Sequence, residues 1–450
     1  MLQRALPHIP ETPTWSTSER PGARRLARPL MRFIHLEVAA GALLAVATLL
    51  AILWVNSPWA ASYERLWNAP VELGIGSWHL EHAGHHLTLH ALVNDGLMVV
   101  FFFVVGLEIK RELTTGHLVD RRAALVPAIA AIGGMVVPAA LYVAMTWGSG
   151  LEGGWGIPMA TDIAFALGVL SLVSKRVPST LKVFLLTLAI VDDIGAILVI
   201  AIFYSAGVSF AWLAAGVVTV AAMLGMRRAG IRYTPTFVIA GVALWYFLLQ
   251  SGVHATIAGV IAGVLTPAEA WSPRTGESLP VISDAQAARS VGLAVREAVP
   301  VTERFEALLH PFTAFVILPV FALANAGIEV SGSALASAAS APVTVGVVAG
   351  LVIGKCIGIS VAALVACRLG IGPLPDGCTP RHIVGVSALA GIGFTVAMFV
   401  SELAFDDHHV VAQAKIGILV ASIVAGGLGV CLLRSGRRAP AEPAELATLR

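Results

Sequence analysis

Three aspartates lie inside two strongly apolar stretches of this chain. The segment 156–203 consists of two apolar spans around a short basic loop, with Asp162 in the first span and Asp192 and Asp193 in the second. An ionised aspartate at the centre of a membrane helix costs about 2.5 to 3.5 kcal/mol on insertion scales. Such residues usually act on ions or substrates, so these three are the first candidates for a functional site.

The depth of these charges follows from their distance to the nearest basic residues. The loop 174–182 begins roughly a dozen residues after Asp162 and ends roughly ten before Asp192, and a helix rises about 1.5 Å per residue. The carboxylates are therefore expected about 15 to 18 Å from one membrane face, near the middle of a core about 30 Å thick. Lys355 lies about thirteen residues before the next basic residue, Arg368, and is expected at similar depth with the opposite charge.

The composition supports a membrane environment for the whole chain. Of its 450 residues 57% are hydrophobic and only 12% are charged, which is far more apolar than a soluble domain of this size. A polytopic protein in a lipid bilayer is expected, and no nucleic-acid partner is indicated. The four cysteines lie late in the chain in apolar or cytoplasmic surroundings, so free thiols are expected rather than disulfides.

The apolar spans predict an all-α fold with twelve transmembrane helices. Loops after the even-numbered spans carry most of the Lys and Arg, so the positive-inside rule places both termini in the cytoplasm. The predicted spans are 35–55, 89–109, 123–145, 156–173, 183–204, 210–226, 235–251, 253–266, 306–328, 341–367, 381–401 and 410–433.

Four further segments are expected outside the spans. Residues 1–34 are rich in Pro, Ser and Arg and predict a disordered basic cytoplasmic arm, and 434–450 form a cytoplasmic tail. A periplasmic hairpin is predicted within 56–88, where the alternating sequence VELGIGSWHL could pair with a second copy of the chain. Residues 267–305 are a polar cytoplasmic loop with no predicted chemistry.

Spans four and eleven are poor helices. Span four contains Gly156, Pro158 and Gly168, and span eleven contains the Gly391 and Gly393 pair. Paired interrupted spans in two parts of a chain are the best sequence indication of a transport site formed by broken helices. The helix ends left at mid-depth would place partial charges there, which Asp162 and Lys355 could balance.

The site residues suggest a hard cation. Asp192 and Asp193 are neighbours, which on a helix point about 100° apart, so one can face a cavity while the other meets a neighbouring helix. Carboxylate oxygens, the Thr161 hydroxyl and exposed carbonyls suit such an ion, which would compete with protons for the same oxygens. The alternative is a purely structural network in which Lys355 is only a counter-charge. In the functional interpretation Lys355 releases a proton when the cation binds.

A second group of ionisable residues lies at predicted helix ends, toward the predicted cytoplasmic face except for His254, which opens span eight. An acidic mouth that attracts cations or senses pH is one interpretation, and ordinary helix-end chemistry or polar packing is the other. The residues are Glu108, Glu112, His254, Glu306 and His310.

Several motifs resemble those of the NhaA-type sodium/proton antiporters. The similarity extends over about residues 35–433, and the fold that it implies has inverted repeats in which spans four and eleven are unwound and cross. The motifs are TDIAFALGVL, LAIVDDIGAI, NDGLMVVFFFVVGLEIKREL, SGVHATIAGV, FEALLHPF, ANAGI, IGKCIGIS and ALAGIGFT.

The resemblance also implies an activity and residue roles. It implies an inner-membrane homodimer that exchanges cytoplasmic sodium or lithium for a larger number of incoming protons, without a cofactor and activated at alkaline pH. Asp192 and Asp193 would bind the transported sodium and protons, Thr161 and Asp162 would line the site, and Lys355 would pair with Asp192 when sodium is absent. The second group named above would match the pH-response positions. Ala307 departs from members that have a second histidine there, so the pH set point is open.

Two other classes of function remain as alternatives from the residues alone. An intramembrane aspartyl protease also uses two facing acids, but it would need a GxGD-type motif, and neither VDDIG nor TDIAF supplies one. A passive cation channel or a sensor would not move sodium uphill on a proton gradient. The expected function is therefore secondary active transport by alternating access, electrogenic and pH-regulated, and not an enzyme activity.

Overall fold

The computed structural model describes residues 37–71, 74–75, 78–79, 81–82, 85–116, 118, 121–173, 177–205, 207–268 and 299–434. The predicted arm 1–34, most of the loop 267–305 and nearly all of the predicted tail lie outside these residues. The domain boundaries predicted there stay predictions.

The described chain is almost entirely helical. Fifteen α-helices and one 3-10 helix follow one another along the described residues. They are α1 Glu37–Val55, α2 Ala60–Trp67, α3 Leu89–Thr114, α4 Arg121–Thr146, the 3-10 helix Glu152–Met159, α5 Ile163–Ser171, α6 Ser179–Phe203, α7 Phe210–Arg228, α8 Thr234–Ser251, α9 Ile257–Leu265, α10 Val301–Asn325, α11 Gly332–Ser340, α12 Pro342–Arg368, α13 Pro380–Leu389, α14 Phe394–Ala404 and α15 His408–Arg434.

Eight helices in the described ranges are long and apolar enough to cross a membrane, and three bent pairs raise the number to eleven. The bent pairs are α1 with α2 at 115°, the 3-10 helix with α5 at 41°, and α13 with α14 at 50°. These eleven coincide with eleven of the twelve predicted spans. The remaining prediction, 253–266, contains only the nine residues of α9, which fall short of the roughly 20 that cross a bilayer. The protein is thus an all-helical polytopic membrane protein, and the count of twelve stays a prediction.

The hairpin predicted between α2 and α3 is present. Gly74–Ile75 pair with Trp78–His79 in antiparallel register, and Glu81–His82 pair with His85–His86 in a second small ribbon. The described cysteines are all free thiols, as predicted.

The bonds between connecting segments define two ends of the helix bundle. At one end, which we call the basic end, Thr180 Oγ1 donates to the carbonyl of Asp376 at 2.7 Å and Arg304 to that of Arg232 at 3.3 Å. At the opposite end, Asn56 Nδ2 donates to the carbonyl of Ile328 at 2.8 Å. Arg232 and Arg304 are among the described basic residues at this end.

The interruptions predicted in spans four and eleven are present and touch each other. Residues 160–162 separate the 3-10 helix from α5, and 390–393 separate α13 from α14. The backbone N–H of Asp162 donates to the carbonyl of Ile392 at 2.6 Å, and Thr161 Oγ1 lies 2.8 Å from the carbonyl oxygen of Ala390. Each break therefore satisfies polar groups of the other, which a lipid environment requires.

Glycines let some helices approach at backbone distance. A methyl group added at Gly259 or Gly263 of α9 would collide with the backbone carbonyl of Val99 or Phe103 of α3. Small residues at helix contacts are the usual means of packing in membranes, where hydrophobic burial does not distinguish protein from lipid. The short helix α9 is thus held against α3 by backbone contact.

Candidate functional site

Asp162 lies in the first break and accepts hydrogen bonds from the first turns of two helices. Its Oδ1 accepts from the N–H of Phe165 at 3.0 Å, so it caps α5. Its Oδ2 accepts from the N–H of Thr395 at 3.1 Å and from the Thr395 hydroxyl at 2.7 Å, at the start of α14. Both N-termini therefore point at one buried carboxylate, and each carries about half a positive elementary charge.

Asp192 is held by a different set of partners. Its Oδ2 accepts from the Thr161 hydroxyl at 2.7 Å and forms an ion pair with the ammonium group of Lys355. Lys355 Nζ also donates to Thr161 Oγ1 at 3.1 Å, and the side chains of Lys355 and Asp192 have no exposed surface. The first break therefore supplies Thr161 to the Asp192–Lys355 pair and Asp162 to the N-termini of α5 and α14.

The backbone of α12 carries Lys355 to this position. Residues Ala349–Gly354 form a π-helical segment directly before Lys355, and Gly350 and Gly354 lie against Pro138 of α4. A π-helical turn inserts a residue and rotates the helix that follows, and such turns are frequent at functional sites. One turn after Lys355, Gly358 packs on the backbone of Gly133 in α4. The lysine is thus fixed by close packing between α4 and α12.

Asp193 faces a different direction from Asp192 and lines a cavity of about 430 Å³. Oδ1 of Asp192 and Oδ1 of Asp193 are buried and have no hydrogen-bond partner among the described protein atoms. An unpaired buried carboxylate oxygen is costly unless a proton or cation reaches it. The cavity also reaches Thr161 and Asp162, so the two breaks and Asp193 share one space.

The other end of the cavity lies at charged residues of the basic end. Arg111 forms an ion pair with Glu306 and lies 3.8 Å from Glu112. The polar residues that line the cavity are Glu108, Arg111, Thr161, Asp162, Lys182, Asp193, Glu306, His310, Thr313 and Thr395. The described residues contain no group of three or more His, Cys, Asp or Glu placed to hold a metal ion.

The structure brings most of the predicted site residues together. Of the five residues in the predicted pH-response group, Glu108, Glu306 and His310 line the cavity. Glu112 lies beside Arg111, whereas His254 lies apart from the cavity lining and packs its ring 5.3 Å from the ring of Phe399.

Sequence reasoning missed several residues that the structure places near the site or in the membrane. Thr395 follows the second break but was given no contact, although its place beside Gly391 and Gly393 was a usable signal. Lys415 and Glu402 form an ion pair at 2.5 Å, and a lysine inside the apolar span 410–433 could have been noticed as Lys355 was.

Known proteins resemble this chain over nearly its whole length. Residues 31–433 match the model of a family described as Na+/H+ antiporter 1. The Na(+)/H(+) antiporter NhaA 3 of Frankia alni is 48% identical over 433 residues, covering 93% of this chain and 92% of the relative. The Na(+)/H(+) antiporter NhaA 2 of Sorangium cellulosum is 45% identical over 446 residues, covering 94% of each chain. The Na(+)/H(+) antiporter NhaA of Oleidesulfovibrio alaskensis is 45% identical over 430 residues, covering 91% of this chain and 94% of the relative.

Proposed function

Because the chain belongs to the Na+/H+ antiporter 1 family, we propose that it exports sodium or lithium from the bacterial cytoplasm in exchange for a larger number of protons. It would act as a secondary active transporter of the inner membrane, without a cofactor. The complete fold would have twelve membrane helices in inverted repeats, with both termini in the cytoplasm and with the broken spans four and eleven crossing at mid-depth.

The observation that carries this proposal is the state of the two adjacent acids. Asp193 lines the cavity with a buried oxygen that has no hydrogen-bond partner within the described ranges, and Asp192 beside it forms an ion pair with Lys355. A sodium ion that reaches Asp193 needs several oxygen ligands, and the free Oδ1 of Asp192 is the nearest candidate by sequence. A proton on the same oxygens would exclude the ion, so the two would bind in alternation.

Alternating access would then depend on the two breaks. The short helices α5 and α14 both begin at Asp162, and a small displacement of either would change which half of the bundle is in contact with the bound ion. Helices broken at a midplane site are the usual structural basis of such movements. The cavity that joins Asp193 to the charged residues of the basic end supports entry of the ion from the cytoplasm.

Regulation by pH would reside at the cytoplasmic mouth of the cavity. The ion pair of Arg111 and Glu306 joins α3 to α10, with Glu108, Glu112 and His310 nearby. Protonation of such a cluster changes its net charge and can change how the helices pack. His254 would act separately, through its contact with Phe399.

The hairpin between α2 and α3 supports a further proposal, that the protein is a homodimer. Its four short strands pair only within their own ribbons, in the described part of the chain, which leaves strand edges available for a second copy.

The test is exchange in everted membrane vesicles and in proteoliposomes of the purified protein. Addition of sodium should dissipate a preset pH gradient, and a proton gradient alone should drive sodium uphill, which no channel can do. Asp193→Asn should abolish both effects. Asp406→Asn is the matched control because Asp406 is exposed at the opposite end of the bundle, and it should leave both unchanged. Exchange that persists in Asp193→Asn, or sodium movement only down its gradient, would contradict the proposal.

A further inference from the structure

A second intramembrane ion pair lies away from the central site. Lys415 of α15 pairs with Glu402 of α14 at 2.5 Å, and their side chains are only 11% and 20% exposed. Lys415 lies seven residues into α15, which is about 10 Å from the helix start. Charges at such positions in membrane proteins commonly mark ion pathways.

Other buried polar groups surround this pair. His90 Nε2 lies 3.2 Å from Oδ1 of Asn325, and Asn325 Nδ2 donates to Asn94 Oδ1 at 2.9 Å. Asn325 has no exposed surface, and Glu402 is close enough to His90 to interact electrostatically with it. Four helices, α3, α10, α14 and α15, therefore contribute to one polar cluster, which we call the outer cluster: His90, Asn94, Asn325, Glu402 and Lys415.

One face of α14 connects the outer cluster to the central site. Thr395 donates to Asp162, Phe399 follows four residues later, and Glu402 follows seven residues later. Residues with this spacing lie on the same helix face, and the distance from Thr395 to Glu402 is about 10 Å along the axis. The short helix that begins at the central site therefore ends in the outer cluster.

Aromatic rings fill the space between these two groups. The Phe399 ring lies 5.6 Å from that of Phe102, 6.4 Å from that of Phe321 and 5.3 Å from that of His254. The three phenylalanines are at most 3% exposed. The cytoplasmic cavity includes Thr395 and Val396 but not Phe399, so the ring cluster begins where the cavity ends.

The residues beyond Asp193 on α6 complete this apolar layer. Ile197 and Ile200 follow Asp193 by four and seven residues, and both line one small cavity together with Phe102. On the side away from the cytoplasmic cavity, an ion at Asp193 therefore meets a mostly apolar layer, in which Thr256 and His254 are the polar residues. Such a layer holds back a hydrated cation because it offers too few polar groups to replace the ion's water.

We propose that the outward half of the transport path runs along the Thr395–Phe399–Glu402 face of α14. Phe399 and its neighbouring rings form the closed outer barrier, and Glu402 is the first carboxylate that meets a cation on the outer side. Lys415 occupies the Glu402 carboxylate while the barrier is closed, and the leaving sodium ion displaces it. This proposal rests on the proposed exchange activity and adds the residues of its outward-facing half.

The test compares the two sides of the membrane separately. Sodium-dependent currents on a solid support give an apparent sodium affinity for right-side-out vesicles and another for inside-out vesicles. Glu402→Gln should weaken the outer-side affinity about tenfold, which corresponds to a loss of about 1.4 kcal/mol. The inner-side affinity should stay within about twofold, which is less than about 0.5 kcal/mol. Glu402→Asp should restore most of the outer-side affinity.

Glu329→Gln is the matched control because Glu329 is exposed at the same end of the bundle. It should change neither affinity. An equal change on both sides in Glu402→Gln would show a general structural role and overturn the proposal, and so would no change on either side.

The barrier is tested with Phe399→Ala and the milder Phe399→Leu. With no pH gradient, sodium efflux from loaded proteoliposomes should exceed that of the wild type, more in the alanine variant than in the leucine variant. Efflux equal to the wild type in a correctly folded leucine variant would contradict a barrier at Phe399. Absence of exchange in the wild type would contradict the proposed function itself. Normal exchange in the wild type, with all of these variants behaving like the wild type, would contradict only the proposed outward path.

Discussion

Replacement of Thr395 by valine tests whether the two breaks are joined through Asp162. The Thr395 hydroxyl donates to Asp162 Oδ2 at 2.7 Å, and both residues are only 2% exposed. Valine is close to threonine in size, so the change removes the hydroxyl and little else. The backbone N–H of residue 395 remains as a donor to the same oxygen.

The expected loss follows from the charge and burial of the acceptor. A hydrogen bond to a charged group contributes about 1.5 to 3 kcal/mol, and one lost inside the protein is not replaced by water. Thr395→Val should therefore destabilise the folded protein by about 1.5 to 3 kcal/mol. Transport should also be slower, because α14 begins at this bond and must keep its position relative to α5 for the ion to bind.

Thermal unfolding of the purified protein in detergent, followed by loss of the monodisperse species, measures the change. Thr115→Val is the matched control, since that exposed hydroxyl donates only to the carbonyl of Arg111 in its own helix, at 3.2 Å. The control should shift the stability by less than about 0.5 kcal/mol. Equal midpoints for Thr395→Val and wild type would refute the inference that this hydroxyl holds the two broken helices together.

Three further outcomes are expected. Sodium at a hundred times its dissociation constant should stabilise the wild type by about 2.7 kcal/mol and raise its unfolding midpoint, but it should not raise the midpoint of Asp193→Asn. Equal shifts in the two proteins would show that Asp193 does not bind the ion. Gly263→Val should destabilise the folded protein by about 1 to 3 kcal/mol because the new side chain meets the backbone of Phe103. Gly427→Val should not, because its side chain meets open space, and thermal unfolding of both variants measures the difference. Lys355→Gln should reduce the charge moved per sodium ion, measured as current relative to radioactive sodium flux; an unchanged ratio would show that Lys355 carries no proton.

Much of the site could be predicted from the sequence because its residues are rare in their surroundings. Asp162, Asp192, Asp193 and Lys355 stand out in apolar spans, where a charge has few structural uses. The broken spans were also visible, since glycine and proline interrupt helices at identifiable positions. The spacing of these residues in the sequence could not show which of them contact each other. The contacts from the break before α5 to α12 and α14 join residues more than 190 positions apart.

The remaining features depended on local helix geometry that has no clear sequence signal. The π-helical segment before Lys355 arises where α12 packs on Pro138, a contact set by tertiary structure. The length of α9 was overestimated for a related reason. The sequence 253–266 is mostly apolar, but its first residues form turns rather than helix, and apolar composition alone cannot distinguish the two.

The charges of the central site constrain how the exchange can be electrogenic. The two helix N-termini at Asp162 carry about one positive elementary charge together, which balances an ionised Asp162. Lys355 balances Asp192, so only the charge of Asp193 remains uncompensated.

If a single sodium ion and a single proton alternated at Asp193, each would neutralise the site equally and the exchange would move no net charge. If the exchange is electrogenic, as proposed above, a second proton must bind and leave within the cycle, and the Asp192–Lys355 pair is the ionisable partner directly beside Asp193. Sodium that recruits Asp192 as a second ligand withdraws the counter-charge from Lys355, and a buried lysine without a counter-charge is stable only when it gives up its proton. On this reasoning the ion pair that stabilises the empty site would also supply the extra proton, and electrogenic exchange and the stability of the empty site would then depend on the same contact.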